Sequence, residues 1–193
     1  VFTTPFTYVA TAEVIALLGA TPVFVDVYDS TFNIDCEKLE IAIQDTIKNG
    51  ELTPKAIIPV DLFGVPARYR LIDSIAKKYN LKVIEDGAQS FGASIGEKKV
   101  GTFGDVAATS FYPAKPLGCY GDGGAMFTND DNLAEQCKAI RIHGTSSDKY
   151  NSEVIGLNGR LDSIQAAVLL EKLTIFDEEL EIRNKVNDYY RKF

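Results

Sequence analysis

The sequence predicts an α/β protein whose mostly parallel sheet carries helices on both faces. Short apolar runs bounded by turn-forming residues alternate with longer segments of helical apolar spacing, and this alternation is typical of βαβ units. With 193 residues, of which 46% are hydrophobic, the chain can bury a sizeable core. We find no internal repeat, low-complexity tract or obvious flexible linker in it.

Individual elements follow from the apolar pattern and from the residues that interrupt it. An early hydroxyl residue and a terminal glycine bound the first predicted helix, and Leu39, Ile43 and Ile47 mark one apolar face of the second. The last predicted helix is rich in Glu first and in Lys and Arg later, an order that suits the helix dipole. The predicted strands are 22–27, 55–60, 82–85, 106–111 and 125–128, and the predicted helices are 7–19, 35–48, 66–79, 131–142 and 175–193.

Composition and charge exclude several classes of protein. The formal net charge is −7 with acidic and basic residues interspersed, so we expect no nucleic-acid partner. The cysteines Cys36, Cys119 and Cys137 are too few and too scattered for a disulfide framework or a metal site, and we expect a cytoplasmic protein without a bound metal. No apolar run approaches the length of a membrane span, so we expect no membrane partner.

The segment 109–124 combines a lysine with a glycine-rich turn. Lys115 follows the apolar run 106–111, at the point where the backbone leaves the predicted sheet, and glycines lead from it to the next strand. Partly apolar surroundings at such a place lower the pKa of a lysine and make its amine available as a nucleophile. The alternative is a solvated loop lysine without a chemical role, which is the commoner situation.

A second segment, 81–93, places a carboxylate at the end of a strand. Asp86 falls at the carboxyl end of the run 82–85, and ligand groups collect outside the carboxyl ends of strands in parallel sheets. A carboxylate there, followed by small residues and a Gln, suits a protonated ring nitrogen. Pyridoxal phosphate (PLP) is the cofactor that needs both a lysine amine and a carboxylate facing its pyridinium.

These motifs resemble those of the DegT/DnrJ/EryC1/StrS family. The resemblance is carried by EDGAQSFGA at 85–93, by GDVAATSFYPAKPLG at 104–118 and by GDGG at 121–124, and it extends over essentially the whole chain. The family consists of PLP-dependent aminotransferases of nucleotide-activated keto-sugars, on fold type I of the PLP enzymes. The resemblance implies that the chain is the central part of the large domain of such an enzyme.

The resemblance also implies a domain organisation. Residues 1–174 would form the PLP-binding large domain without its N-terminal segment. Residues 175–193 would form a long helix that leads towards a C-terminal domain missing from the chain.

Catalytic roles follow from the resemblance for two residues. Lys115 would hold PLP as a Schiff base and then, as general base and acid, move the proton between substrate and cofactor carbons. Asp86 would stabilise the pyridinium, so that the ring accepts electrons.

The remaining site residues would bind the cofactor. Gln89 is matched to the ligand of the ring hydroxyl, and Ser110 to the phosphate-binding hydroxyl, whereas Thr109 would face the other side of its strand in a structural role. Tyr8 would stack on the ring; the alternative is that it packs in the core. Asn158 would reach the phosphate of the partner subunit in a homodimer with a shared active site.

Several residues near the end of the chain stay open. Asn158 or Asp162 could equally be a helix N-cap, a role that needs no ligand. His143, in the Arg-x-His-Gly segment before the polar loop 145–152, could transfer a proton or have a structural role, and we favour the structural one. Arg160 could anchor the subunit interface or a substrate diphosphate.

The function implied by the resemblance is transfer of an amino group from glutamate to a nucleotide-linked keto-sugar, with pyridoxamine phosphate (PMP) formed between the two half-reactions. Residues 115–124 look closest to members that act on UDP-linked 2-acetamido sugars with a 3-keto or 4-keto group, in surface glycan precursor synthesis. The alternative is a non-catalytic PLP-fold binding or regulatory module, or an inactive fragment. A Rossmann dehydrogenase is excluded because the GDGG turn leads into a strand and not a helix.

Overall fold

The structure is a computed structural model that describes residues 1–145 and 150–192. The chain divides into two compact units. The first consists of Val1–Thr109 and Met126–Asp130, and the second of Ser110–Ala125 and Asp131–Phe193.

Strands and helices alternate through the first unit, and helices dominate the second. The strands are β1 (Phe2–Thr3), β2 (Val23–Phe24), β3 (Ala56–Ile58), β4 (Lys82–Asp86), β5 (Ser94–Ile95), β6 (Lys98–Lys99), β7 (Val106–Ser110) and β8 (Gly124–Phe127). The helices are α1 (Ala10–Leu17), α2 (Cys36–Asn49), α3 (Tyr69–Tyr79), α4 (Asp131–Ile140), α5 (Ser163–Leu173) and α6 (Phe176–Tyr190), with a 3-10 turn at Leu62–Gly64.

The main sheet has six strands in the order β2-β1-β3-β4-β7-β8. β1 pairs in parallel with β2 and β3, β3 with β4, and β4 with β7. The prediction of an α/β fold with a mostly parallel sheet is therefore confirmed. In this register Asp86, at the carboxyl end of β4, lies opposite Ala108 of β7.

The core of the first unit forms between the parallel strands and the helices α2 and α3. Phe2, Leu39, Ile57 and Ile72 are fully buried there, and burial of each such side chain contributes about 1.5–3 kcal/mol to folding. Leu39 and Ile43 lie in this core as predicted, but Ile47 does not, because it is 52% exposed near the end of α2.

One prediction of local structure was wrong, and one element was missed. The helix predicted over 66–79 begins only at Tyr69, since the amide of Ala67 donates to the Asp61 carboxylate and Arg68 has non-helical backbone angles. The antiparallel hairpin of β5 and β6 was not predicted at all. Its strands are too short for an apolar pattern, although Gly96, with a φ of 60°, supplies the turn that joins them.

The second unit contains α4, α5 and α6. Leu169 of α5 and Phe176 of α6 are buried, and α6 ends at Tyr190, close to the predicted end of the last helix. Part of the predicted polar loop, residues 146–149, lies outside the described residues. In the part of the chain that the structure describes, none of the helices is both long and apolar enough to cross a membrane.

Candidate active site

Asp86 ends β4 with its carboxylate fixed by two hydrogen bonds. Its backbone amide donates to the carbonyl of Pro59 at 3.0 Å. Its Oδ2 accepts from Thr11 Oγ1 at 2.8 Å, and its Oδ1 accepts from the amide of Ala88 at 3.2 Å. Among the described residues, no basic nitrogen lies within 4.0 Å of the carboxylate. This half-buried acid is therefore oriented, and it lacks a counter-ion within the part of the chain that the structure describes.

Tyr8 belongs to the segment that orients Asp86. The amide of Thr11 donates to the carbonyl of Tyr8 at 3.3 Å, so the turn that carries Tyr8 leads directly to the hydroxyl that binds Asp86. The Tyr8 side chain is 72% exposed. The alternative that it packs in the core was therefore wrong, and its ring is available to a planar ligand.

Gln89 lies on the turn after β4 and is half-buried. Its Oε1 accepts from the amide of Phe63 at 2.8 Å, which fixes the orientation of the side-chain amide. The Nε2 of Gln89 has no hydrogen-bond partner among residues 1–145 and 150–192, so it can donate to a ligand. An oriented anion and an oriented donor fit a ring that carries a protonated nitrogen and a hydroxyl oxygen, as PLP does.

Lys115 and Ser110 lie in the second unit and share one turn. The Lys115 amide donates to the carbonyl of Tyr112 at 2.8 Å, and the Tyr112 amide donates to Ser110 Oγ at 3.2 Å. Because the Ser110 hydroxyl accepts in this bond, its proton can be donated to an anion. Lys115 is half-buried. Thr109 is buried and donates to the carbonyl of Gly87 at 3.1 Å, which agrees with the structural role expected for it.

The segment after Lys115 is attached to helix α5. Lys172 Nζ donates to the carbonyl of Gly118 at 2.8 Å, and Gln165 Nε2 donates to the carbonyl of Tyr120 at 3.2 Å. Position 118 requires glycine, because a Cβ there would come within 2.5 Å of the Pro113 carbonyl oxygen. Sequence reasoning did not find Lys172, since it is separated from Gly118 by 54 positions.

Asn158 lies on the segment between α4 and α5, and its side chain is exposed. Its Oδ1 accepts from Nε of Arg160 at 3.0 Å. The N-cap position of α5 is taken by Asp162, whose side chain makes no capping hydrogen bond. His143 is exposed with a φ of 65°, and its amide donates to the carbonyl of Leu157 at 3.0 Å.

Two buried acids next to Asp86 were not predicted as functional residues. Asp61 lies just after β3, and Asp86 is the last residue of β4. Because both acids lie at the ends of strands, the sequence contained a signal for Asp61 of the same kind as for Asp86. Burial raises the pKa of Glu85 to about 7, although amide hydrogen bonds from Gly101 and Phe103 lower it and the charge of Asp61 raises it further. Asp61 is likewise fully buried, with all of its hydrogen bonds inside the first unit.

Each unit thus assembles part of the expected set. The first brings Asp86, Gln89 and the Tyr8 turn to the carboxyl ends of neighbouring strands. The second holds Lys115 and Ser110 on one turn, and it carries Asn158 on another segment.

Comparison with known proteins gives matches over the whole chain. The model of the DegT/DnrJ/EryC1/StrS aminotransferase family matches residues 1–193. A UDP-2-acetamido-2-deoxy-3-oxo-D-glucuronate aminotransferase of Pseudomonas aeruginosa is 53% identical over 192 residues, which are 98% of this chain and 51% of that protein. A pleiotropic regulatory protein of Geobacillus stearothermophilus is 50% identical, over 96% of this chain and 48% of that one.

A third relative has a similar name to the first. It is a UDP-N-acetyl-3-dehydro-alpha-D-glucosamine 3-aminotransferase of Acidithiobacillus ferrooxidans, 46% identical over 85% of this chain and 42% of its own length. The chain spans about half the length of the curated relatives it matches.

Comparison with solved structures also gives matches over most of this chain. A DegT/DnrJ/EryC1/StrS aminotransferase from Brucella abortus superposes with a TM-score of 0.97 at 55% identity, over 99% of this chain and 51% of that one. NtdA from Bacillus subtilis, solved with bound PMP, gives a TM-score of 0.78 at 33% identity, over 91% of this chain and 38% of that one.

Proposed function

This chain belongs to the DegT/DnrJ/EryC1/StrS aminotransferase family, and on that premise we propose that it transfers an amino group from glutamate to a nucleotide-linked keto-sugar with PLP as cofactor. The observation that carries the proposal is the Asp86 carboxylate at the end of β4. It is oriented by Thr11 and Ala88 and has no basic nitrogen within 4.0 Å among the described residues. A half-buried anion in that state favours a cationic ligand group.

Asp86, Gln89 and Tyr8 would bind and orient the cofactor ring. When bound, PLP supplies an electron sink that stabilises negative charge on the substrate carbon. Asp86 would hold the proton on the ring nitrogen, and Gln89 would donate from Nε2 to the ring hydroxyl. Tyr8 would cover one face of the ring, which its exposure permits.

Lys115 would supply the amine, and Ser110 would bind the phosphate. Lys115 would anchor PLP through Nζ and, once released, carry the proton between substrate and cofactor carbons. The hydroxyl of Ser110 is free to donate because its oxygen accepts from Tyr112. We assign Asn158 to the phosphate of a partner subunit, so that the enzyme is a homodimer with shared sites.

The relatives support a particular sugar. The proteins that are 53% and 46% identical are both named for a UDP-linked 2-acetamido or N-acetyl sugar with a 3-oxo group. We therefore propose a UDP-2-acetamido-3-keto sugar as the amino acceptor, in cytoplasmic synthesis of surface glycan precursors. Within this proposal, residues 1–174 belong to the PLP-binding large domain, and 175–193 lead out of it.

A non-catalytic module is the competing function, and the name of the regulatory relative is the observation that favours it. Against it stands the complete set of Asp86, Gln89, Ser110 and Lys115. A protein that only regulates would need the fold. It would not need a lysine placed to react with the cofactor or an acid placed to orient the cofactor ring.

Covalent labelling tests the proposal. We expect borohydride reduction of the full-length protein with PLP, followed by peptide mass spectrometry, to place a phosphopyridoxyl group on Lys115. The Lys115→Ala variant should lose the label and keep its fold, whereas Lys185→Ala, an exposed lysine of α6, should be labelled at Lys115 as before. A reducible adduct that persists in Lys115→Ala would contradict the assignment.

A further inference from the structure

Asp61 is a fully buried carboxylate that the proposed mechanism does not use. Its Oδ1 accepts from the amide of Ala67 and from the hydroxyl of Tyr69, both at 2.8 Å. Its Oδ2 accepts from Ser90 Oγ at 2.9 Å. The acid therefore connects the segment before α3, the helix α3 itself and the turn after β4.

These bonds fix the two segments that meet at Gln89. Asp61 directly precedes the 3-10 turn Leu62–Gly64, and its own amide donates to the carbonyl of Asp86 at 3.0 Å. Ser90 directly follows Gln89 in the chain. The hydrogen bond from the Phe63 amide to Gln89 Oε1 thus joins two turns, and Asp61 holds both of them.

One of those turns is strained. Phe63 has a φ of 56°, in a region that a bulky side chain rarely adopts. Such a backbone persists only where surrounding contacts determine it. Here the amide of Phe63 points to Gln89, and the hydrogen bonds of Asp61 fix the residues on either side of the turn.

Stability of the fold alone does not explain a buried carboxylate at this position. Burial raises the pKa of Asp61 to about 6, although hydrogen bonds from Ala67, Tyr69 and Ser90 lower it and the charge of Asp86 adds to the rise. Apolar residues of similar volume often serve a buried position equally well or better. A role in geometry accounts for an acid that accepts from both the start of α3 and the turn after β4.

We propose that Asp61 is a positioning residue, which through Ser90 and the Leu62–Gly64 turn fixes the direction in which Gln89 Nε2 donates. The proposal rests on the proposed function insofar as the recipient of that hydrogen bond is the cofactor ring. Asp61 touches neither cofactor nor substrate in this role, and its effect passes entirely through Gln89.

The test compares Asp61→Ala, Asp61→Asn and Ser90→Ala in the full-length protein. Asparagine still accepts from Ala67 and Tyr69, and its amide can donate to Ser90 Oγ, so it should rescue what alanine loses. Glu85→Ala is the matched control, because it removes an equally buried carboxylate whose hydrogen bonds come from Gly101 and Phe103 instead.

The first measurement is the side-chain amide resonance of Gln89 in protein labelled with ¹⁵N-glutamine and free of PLP. We expect Asp61→Ala to shift or broaden it, Ser90→Ala to shift it less in the same direction, and Asp61→Asn and Glu85→Ala to leave it close to wild type. The second is PLP affinity, which we expect Asp61→Ala to lower by roughly tenfold, the effect of one misdirected hydrogen bond to a bound group.

The outcomes separate the two proposals. An unchanged Gln89 resonance in Asp61→Ala would overturn the positioning role; if that variant does not fold, the same result in Ser90→Ala does so. Unfolding at lower denaturant with the Gln89 resonance and PLP affinity unchanged would also overturn it, since it would indicate a purely structural acid. Failure of the wild type to bind PLP would refute the proposed function, while the Gln89 resonance would still decide the role of Asp61.

Discussion

The hydroxyl of Thr11 donates the only side-chain hydrogen bond that Asp86 receives from the described residues. Thr11 is buried at the start of α1, and the carboxylate is half-buried. A short bond to a charged group in such surroundings contributes about 1.5–3 kcal/mol. The direction of the Asp86 carboxylate therefore depends on Thr11 together with the amide of Ala88, and the sequence analysis placed Thr11 only within the first predicted helix.

Thr11→Val keeps the shape of the side chain and removes this donor. We expect PLP affinity to fall by roughly tenfold and the free energy of unfolding to fall by about 1–2 kcal/mol, because one oxygen of a partly buried carboxylate loses its partner. Equilibrium titration with PLP and urea unfolding measure the two effects. Thr46→Val, which removes a hydroxyl bonded to the Ala42 carbonyl on α2, should affect stability alone. Equal PLP affinity in both variants would contradict the role of Thr11.

At the scale of elements, α5 acts as a support for the turn that carries Lys115. Lys172 and Gln165 donate to the carbonyls of Gly118 and Tyr120, and Arg183 of α6 donates to that of Pro116 at 3.4 Å. The Gly118 carbonyl is the most buried of the three, and a carbonyl shielded from water needs such a partner. The helix pair thus restrains the backbone that follows Lys115.

Lys172→Met tests this support, since methionine keeps the apolar stem and loses the ammonium donor. We expect the rate of PLP attachment at Lys115 to fall several-fold while the helical content stays unchanged, because the turn gains freedom that must be lost again on reaction. Stopped-flow absorbance and circular dichroism are the measurements. Lys185→Met on the exposed side of α6 is the control, and an identical rate in both variants would show that the contact has no effect.

The sequence allowed some of these elements to be predicted and not others. Asp86 and Lys115 could be proposed as site residues because each follows a predicted strand, and the end of a strand is a local signal. The contacts of Asp61 with Ser90 and of Lys172 with Gly118 could not, because they join positions 29 and 54 apart. The late start of α3 was missed for a different reason, because the bond from the Ala67 amide to the Asp61 carboxylate leaves no mark on the apolar pattern.

At the scale of the whole molecule, two buried acids determine how stability depends on pH. The pKa of Asp61 is raised to about 6 and that of Glu85 to about 7, in both cases chiefly by burial. A raised pKa means that the folded state holds a proton which the unfolded chain releases at lower pH. Protonation of the two acids therefore stabilises the folded state. This stabilisation is complete below the unfolded pKa values near 4 and is lost as pH rises through 6 and 7.

We accordingly expect the free energy of unfolding to decrease between pH 5 and pH 8. Carboxylates with lowered pKa values, such as Asp26 and Glu40, act in the opposite sense but only in more acidic solution. Urea unfolding at each pH measures the slope. Glu85→Gln should flatten the upper part of the curve, whereas Glu51→Gln at an exposed site should not; a slope unchanged in Glu85→Gln would refute this account.

Neighbouring acids on β4 point to opposite faces of the sheet. Glu85 accepts from Gly101 and Phe103, and Asp86 accepts from Thr11 and Ala88. Side chains alternate between the two faces along a strand. Deleting or inserting one residue upstream within β4 would therefore turn each acid to the face of the sheet that the other now occupies. We therefore expect insertions and deletions in natural relatives to avoid this strand. They should occur at places such as the tip of the β5–β6 hairpin, where an added residue does not change the face to which neighbouring side chains point.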